Sequence, residues 1–293
     1  MTAIFAIFFA INTIEIVKKR DYNKNVIKYH GERENIMKLG AQLFSVRNHL
    51  TTAEDMRDLF LKMKEIGYQN VQLSGHKVHD AELIKEISRE SGLPIVITHT
   101  DPNRILNETE AVIAEHKLFD CPVVGIGSMP KEYRETPEGA RQFVETFTPA
   151  IEKIEAAGLK IAYHNHAFEL TTPYDEKRNV YDYLIDTCKT WLFTADVYWI
   201  KKGGYDIETY LRKIGGERLV NVHFKDMADN EEQSICACGD GVIDFEKLTR
   251  VCETLGVVNV LVEQDNANKF ESGDIEQMRR SFMHLRPIIP MDI

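Results

Sequence analysis

Cysteine is scarce in this sequence, and what there is does not pair. Cys121, Cys188, Cys236, Cys238 and Cys252 form an odd set with no recurring spacing, which excludes a disulfide framework as the basis of the fold. Cys236-Ala-Cys238 has the look of a chelating pair. No second Cys or His pair lies at ligand spacing, so two small loop residues are the simpler expectation. Such cysteine usage suits the cytoplasm. Positive charge is also short, with 36 Lys and Arg against 46 acidic residues and a net charge of −10. A surface of that sign repels phosphate backbones and anionic bilayers, so neither nucleic acid nor a membrane surface is expected as a partner.

Long hydrophobic runs are missing too. The N-terminal "MTAIFAIFFAINTIEIV" is apolar for about 14 residues before Glu15, short of the roughly 20 that a spanning helix needs. It has neither a positive n-region nor a small-residue cleavage site, so it is a poor signal peptide. A polar stretch, "KKRDYNKNVIKYHGEREN", separates it from "MKLGAQLF", which opens at Met37. Residues 1–36 are expected to be an extension outside the fold, either from a start codon assigned too early or as a membrane anchor. Residues 37–293 are expected to form one domain. No repeat, low-complexity tract or linker interrupts them, and no G-x-G-x-x-G follows any apolar run, which counts against an open dinucleotide-binding sheet.

What the chain does have is alternation. Short apolar runs at 38–44, 69–74, 94–99, 122–127, 159–165, 192–197, 219–224 and 258–263 read as strands, separated by amphipathic helical patterns. Met56, Leu59, Phe60 and Met63 recur at helical spacing, as do Phe143, Phe147, Ile151 and Ile154. Thr51-Thr52-Ala53-Glu54 fits a capping box, and Thr136-Pro137 places a cap before a helix-opening proline. Eight strands alternating with eight helices predict an α/β fold, a closed parallel (β/α)8 TIM barrel.

Period-two alternation then sorts the last four strands. Ile161 and Tyr163, then Phe193, Ala195 and Val197, then Val220, Val222 and Phe224, then Val258, Val260 and Val262 are expected to face the helices. That leaves Ala162, His164 and His166, then Thr194 and Asp196, then Asn221, His223 and Lys225, then Asn259, Leu261, Glu263 and Asp265 facing inward. Four consecutive strands therefore each offer a strong ligand near the C-terminal end: His164, Asp196, His223 and Glu263. Two imidazoles and two carboxylates around one mouth suit Mn²⁺, Zn²⁺, Fe²⁺ or Co²⁺ better than Mg²⁺.

"KLGAQLFSVR" (38–47), "AYHNHAFEL" (162–170), "VHFKDM" (222–227), "GDGVIDF" (239–245) and "VEQD" (262–265) together resemble the sugar phosphate isomerase/epimerase family. This is the xylose isomerase-like TIM barrel group, which includes inosose dehydratases, ketose 3-epimerases and endonuclease IV-like proteins. The resemblance covers about residues 37–290. It implies one divalent cation held by Glu, Asp, His and Glu on strands five to eight, the last three falling at Asp196, His223 and Glu263. The first glutamate falls at His164, where many relatives read "LENH" and this chain "YHNH". Ketose epimerases use two metal-bound glutamates as paired acid and base, so this departure unsettles that mechanism here. As a neutral ligand, His164 would leave the ion a stronger Lewis acid.

The family chemistry implies proton removal beside a carbonyl, through an enediolate that the ion stabilises. Glu263 is the first candidate base, with His166 and Glu169 beside it. A solvated loop carboxylate is an equal reading of Glu169. Lys225 would steady the developing oxyanion, or would be a surface lysine paired with Asp226. Gln42, Arg47, Gln72, His76 and His99 end strands one to three, where sugar hydroxyls would be bonded. Arg47 could instead meet a phosphate or carboxylate. Trp199 would stack on a sugar ring or cap the barrel, and Asp244 would cap the seventh helix.

A metal-dependent isomerase or epimerase acting on a small carbohydrate, as a monomer or homo-oligomer, is the reading this supports. A lyase of the inosose dehydratase kind, or the barrel subunit of a carbon–glycoside-cleaving complex, is the alternative. A non-catalytic sugar-binding barrel is another. DNA repair of the endonuclease IV type would need a multi-metal cluster and a basic groove, which the charge and the single ligand set argue against.

Overall fold

Runs of valine, isoleucine and leucine too brief for helices become strands when turn residues bound them. In the computed structural model, which describes residues 37–291, they do so eight times: Lys38–Gln42, Val71–Leu73, Ile95–Thr98, Val123–Ile126, Lys160–His164, Leu192–Asp196, Leu219–Phe224 and Asn259–Val262. Every expected strand is present, and all but the seventh are trimmed at one or both ends. The expectations for residues 1–36 lie outside the described residues.

These strands pair in parallel, and the first lies beside the eighth through Leu39 and Val260. Strands three and four complete the circuit through one parallel bridge, Thr100 to Ile126. The result is a (β/α)8 TIM barrel. No helix among the described residues is long and apolar enough to cross a membrane.

The helices bury the faces their periodicity marks. In Ala53–Ile66, Met56, Leu59, Phe60 and Met63 are all buried. The cap sits one residue later than the capping-box reading: Thr52 accepts from Asp55 N at 3.1 Å, because Asp55 rather than Glu54 reaches back to the threonine hydroxyl, at 2.8 Å. Thr136 does cap Pro137–Ala156, accepting from Gly139 N. That helix drives Phe143 and Phe147 into an aromatic wedge with Tyr163 and Trp191. Each such side chain removed from water stabilises the fold by about 1.5–3 kcal/mol. Asp244 caps Phe245–Leu255 as expected, accepting from Lys247 N at 2.8 Å.

Inside the barrel, Ile97, Val123, Ala162 and Leu261 form a small apolar layer. Val220, expected against the helices, packs on this inner layer instead. The register slips where strand six meets strand seven, Phe193 opposing Leu219 and Thr194 opposing Asn221, so Val220 is an extra residue on its strand. A bulge of this kind re-aims a side chain. Val258 lies one residue before the eighth strand and is 44% exposed.

Short elements that periodicity does not reveal crowd the C-terminal ends of the strands. They include a 3-10 turn at Leu43–His49, helices at Ala167–Thr171 and Val197–Lys202, and a hairpin pairing Asp226–Met227 with Ile235–Cys236.

Candidate metal centre

Four ligand atoms converge where parity placed them. His164 Nε2 lies 3.3 Å from Asp196 Oδ2 and 3.7 Å from Glu263 Oε2, while His223 Nδ1 lies 2.8 Å from Glu263 Oε2 and 3.9 Å from Asp196 Oδ2. All four residues are buried. A tetrahedral ion with bonds of about 2.1 Å would require edges of about 3.4 Å, and these distances bracket that value.

The proton count makes the fit stronger. Each neutral imidazole carries one N–H. His164 spends its proton from Nδ1 on the Gly127 carbonyl, 3.1 Å away. His223 spends its proton from Nε2 on Gln72 Oε1, 2.7 Å away. The nitrogens left over, His164 Nε2 and His223 Nδ1, then aim lone pairs at carboxylate oxygens. Between neutral imidazoles and carboxylates that arrangement calls for a positive charge, either a metal ion or a proton on His164, whose pKa, against the effect of burial, Asp196 and Glu263 raise. Partners that fix the tautomer of a ligating histidine are a feature of metal centres.

Charge points the same way. Lys225 is 1% exposed, and its ammonium lies 2.8 Å from Asp196 Oδ2, 3.0 Å from Glu263 Oε2 and 3.0 Å from Asp265 Oδ2. Three carboxylates against one ammonium leave room for a divalent cation. Burial works against ionised carboxyls, yet Lys225 above all holds Asp196 below and Glu263 well below the usual carboxylate range. Against the same burial, the three carboxylates hold the Lys225 ammonium well above its ordinary value. Held among these three carboxylates and buried, Lys225 is not a surface partner of Asp226. Asp226 instead accepts from the amides of Met227, Gly239, Gly241 and Ile243 at 2.8–3.1 Å and ties down the loop that follows.

His166 reaches the mouth by a different route from simple alternation. The fifth strand ends at His164, and His166 caps Ala167–Thr171 in extended backbone. Its ring meets that of His164 at 4.9 Å and that of Trp199 at 5.3 Å. Burial, then His164 and Lys225, press its pKa well below the ordinary value, so it is neutral. Glu169 leaves the list of candidate bases. It is fully buried, not solvated, with Oε1 accepting from Tyr163 Oη at 2.5 Å and Oε2 from His166 N at 2.7 Å. Burial pushes its carboxyl up to about 7. It positions the backbone of His166.

The residues from strands one to three divide. Gln42 Oε1 accepts from Phe44 N, so its amide nitrogen donates to His99 Nδ1 at 3.2 Å. His99, kept neutral by burial and by its neighbours His164 and His223, therefore carries its proton on Nε2, which has no partner among the described residues. Gly127 makes room for this ring, since a Cβ there would lie 2.8 Å from His99 Cγ. Gln72 is fully buried against His223 and Asn221 and acts from beneath the ligands rather than on a sugar. Arg47 is held by the carbonyls of Phe44 and Asp265, and so joins two loops. Trp199 walls the mouth, with Lys225 Nζ 5.3 Å from its ring and Nε1 without a partner among the described residues.

The Cys236–Cys238 pair belongs to no cluster of three or more ligand groups among the described residues. Both thiols are buried, burial pushes Cys236 up to about 12, and Cys238 Sγ donates to the Phe224 carbonyl. A thiol kept protonated is a poor ligand.

Beside the ligands a cleft of about 790 Å³ runs over the ends of strands two to four, meeting the centre at His99 and Gly127. Sequence reasoning left this cleft unseen, apart from His76 and His99, because loop residues carry no periodic signal.

A family model described as xylose isomerase-like TIM barrel matches residues 60–288. Among solved structures, a sugar phosphate isomerase/epimerase from Parabacteroides distasonis is 19% identical, with a TM-score of 0.70, over 88% of this chain and 96% of that one. A 3-keto-D-glucoside 4-epimerase from E. coli is 19% identical at a TM-score of 0.63, over 86% and 99% of the two chains. The IOLI protein, whose structure has a zinc atom bound, is 13% identical at 0.65, over 86% and 98%. No curated protein matches the chain.

Proposed function

The chain belongs to the xylose isomerase-like TIM barrel family, and from that premise and the geometry of its mouth we propose a divalent-metal-dependent sugar isomerase or epimerase. The observation that carries this reading is the pair of imidazole lone pairs, fixed by Gly127 and Gln72, converging on the oxygens of Asp196 and Glu263. His164, Asp196, His223 and Glu263 would hold the ion. Mn²⁺ and Zn²⁺ suit this mixed set best, with Fe²⁺, Co²⁺ or Mg²⁺ as less favoured occupants. When bound, it supplies Lewis-acid polarisation of a carbonyl and its neighbouring hydroxyl.

The chain's own residues do the rest. Glu263 uses Oε2 for His223 and Lys225, and no side chain among the described residues bonds Oε1, so Oε1 is the atom that takes the proton next to the carbonyl. His99 Nε2–H and Trp199 Nε1–H donate to substrate oxygens that would otherwise leave them unpaired. His166, neutral beside His164 and Trp199, accepts and returns a proton.

His164 offers no second carboxylate across the substrate, so the centre favours proton transfer on one face. That supports isomerisation over inversion and makes elimination the second reading, since it begins with the same proton loss. The test is metal-loaded protein incubated with aldoses, ketoses and keto-inositols, with products resolved by NMR. Aldose–ketose exchange supports the first reading and dehydrated product the second. Neither, in protein with a full complement of metal, would leave a sugar-binding barrel.

A further inference from the structure

The cleft beside the metal centre gathers four cationic side chains, Lys77, Arg104, Lys131 and Arg134, against three carboxylates, Asp101, Glu115 and Glu132, in a protein that is acidic as a whole. Arg134 is its fixed point. The guanidinium donates from Nε to the Met129 carbonyl and from Nη2 to Ser128 Oγ at 2.9 Å, and lies 4.6 Å over the Phe168 ring. Those contacts pre-orient it, and among the described residues no carboxylate pairs with it. Lys77 and Lys131 line the same cleft, and neither takes part in a described ion pair. Of the acids there, Glu115 is committed to Arg104 and Asp101 caps its own helix through Asn103 N. Glu132 is the one left at the exposed rim.

The distance to the chemistry is short. Ser128, which holds Arg134, directly follows Gly127, whose carbonyl fixes His164. Phe168, under the guanidinium, also stacks on His166 with ring centroids 5.8 Å apart. An oriented arginine without a counter-ion among the described residues, bonded to the residue next to Gly127, is the arrangement that recognises phosphate or carboxylate through paired N–H donors.

We propose that this cleft binds an anionic group, a phosphate monoester or a carboxylate, carried by the substrate a few bonds from its reacting carbon. The inference rests on the sugar-isomerase reading and narrows its substrate class to acidic sugars.

The test is calorimetric titration of the full, metal-loaded chain with glucose, glucose 6-phosphate and glucuronate. One or both anionic sugars should bind about ten- to hundredfold more tightly than glucose, the range of a charge-assisted hydrogen bond, and which of them does so identifies the group. Arg134→Gln should remove the preference, and Arg134→Lys, which keeps the charge, should restore part of it. Lys131→Gln, at an exposed position that the fold does not need, should reduce it. Equal affinity for all three sugars, or a preference that survives Arg134→Gln, overturns the inference. Inorganic phosphate titrated alone separates it from its parent reading. Arg134-dependent phosphate binding in a protein that turns over no sugar sinks the isomerase and keeps the anion site. Turnover of neutral sugars without such binding does the reverse.

Discussion

A buried amide decides which nitrogen of an imidazole is free, and Gln72 shows how. With Oε1 accepting the His223 Nε2 proton at 2.7 Å, the Nδ1 lone pair is committed to the centre. Gln72→Leu keeps the volume and removes the acceptor, so divalent-ion affinity should fall about 10–100-fold, the usual effect of losing such a partner. Competition against a chromophoric chelator reads this directly, and an unchanged affinity would show that Gln72 does not set the tautomer. The two histidines of "AYHNHAFEL" should likewise separate. His166→Gln should keep the ion and lower turnover by about 10²–10⁴-fold, as loss of an acid–base group does, whereas His164→Gln should lose the ion. The opposite pattern of metal content would exchange their roles. Strand parity was enough to bring His164, Asp196, His223 and Glu263 to one mouth as candidate ligands, because inward residues at strand ends recur every second position. It could not find Gln72 or Gly127 as their partners, since those contacts join strands far apart in sequence.

The short helix Ala167–Thr171 is held by Glu169, and here an element gains a pH dependence. Burial raises the Glu169 carboxyl from 4.5 to about 7. Between those values the folded chain keeps a proton that the unfolded chain has released, so stability falls as the pH rises from about 4.5 towards 7. Glu169→Gln does not titrate. Measured against it by urea unfolding across that window, the native chain should lose on the order of 3 kcal/mol. A difference between the two proteins that does not change with pH would mean that Tyr163 and the His166 amide stabilise the ionised form fully. No periodicity announces a five-residue helix, which is why Glu169 reads from sequence as a base or a loop carboxylate. The eight strands and the long helices were legible because each buries one repeating face. The bulge at Val220 was not, as it depends on how strand six meets its neighbour.

At the scale of the whole molecule, a net charge of −10 surrounds a mouth that gathers His99, His164, His166, His223 and Lys225. The Lys225 ammonium is matched by three carboxylates, a balance that does not suit a phosphate backbone. Residues 37–291 carry the whole barrel, and Met37 is itself buried. We propose that a chain beginning at Met37 melts within a few degrees of the full-length chain, and a collapse of the thermal transition would assign residues 1–36 a part in the fold. The claim on which the rest depends is that one divalent ion sits among His164, Asp196, His223 and Glu263. Elemental analysis of the purified chain and of Glu263→Ala, each dialysed against Zn²⁺ and then against metal-free buffer, tests it most directly. The account predicts about one ion per native chain and none in the variant, with both chains folded. Full occupancy in Glu263→Ala, or no retained ion in the native chain, would contradict it.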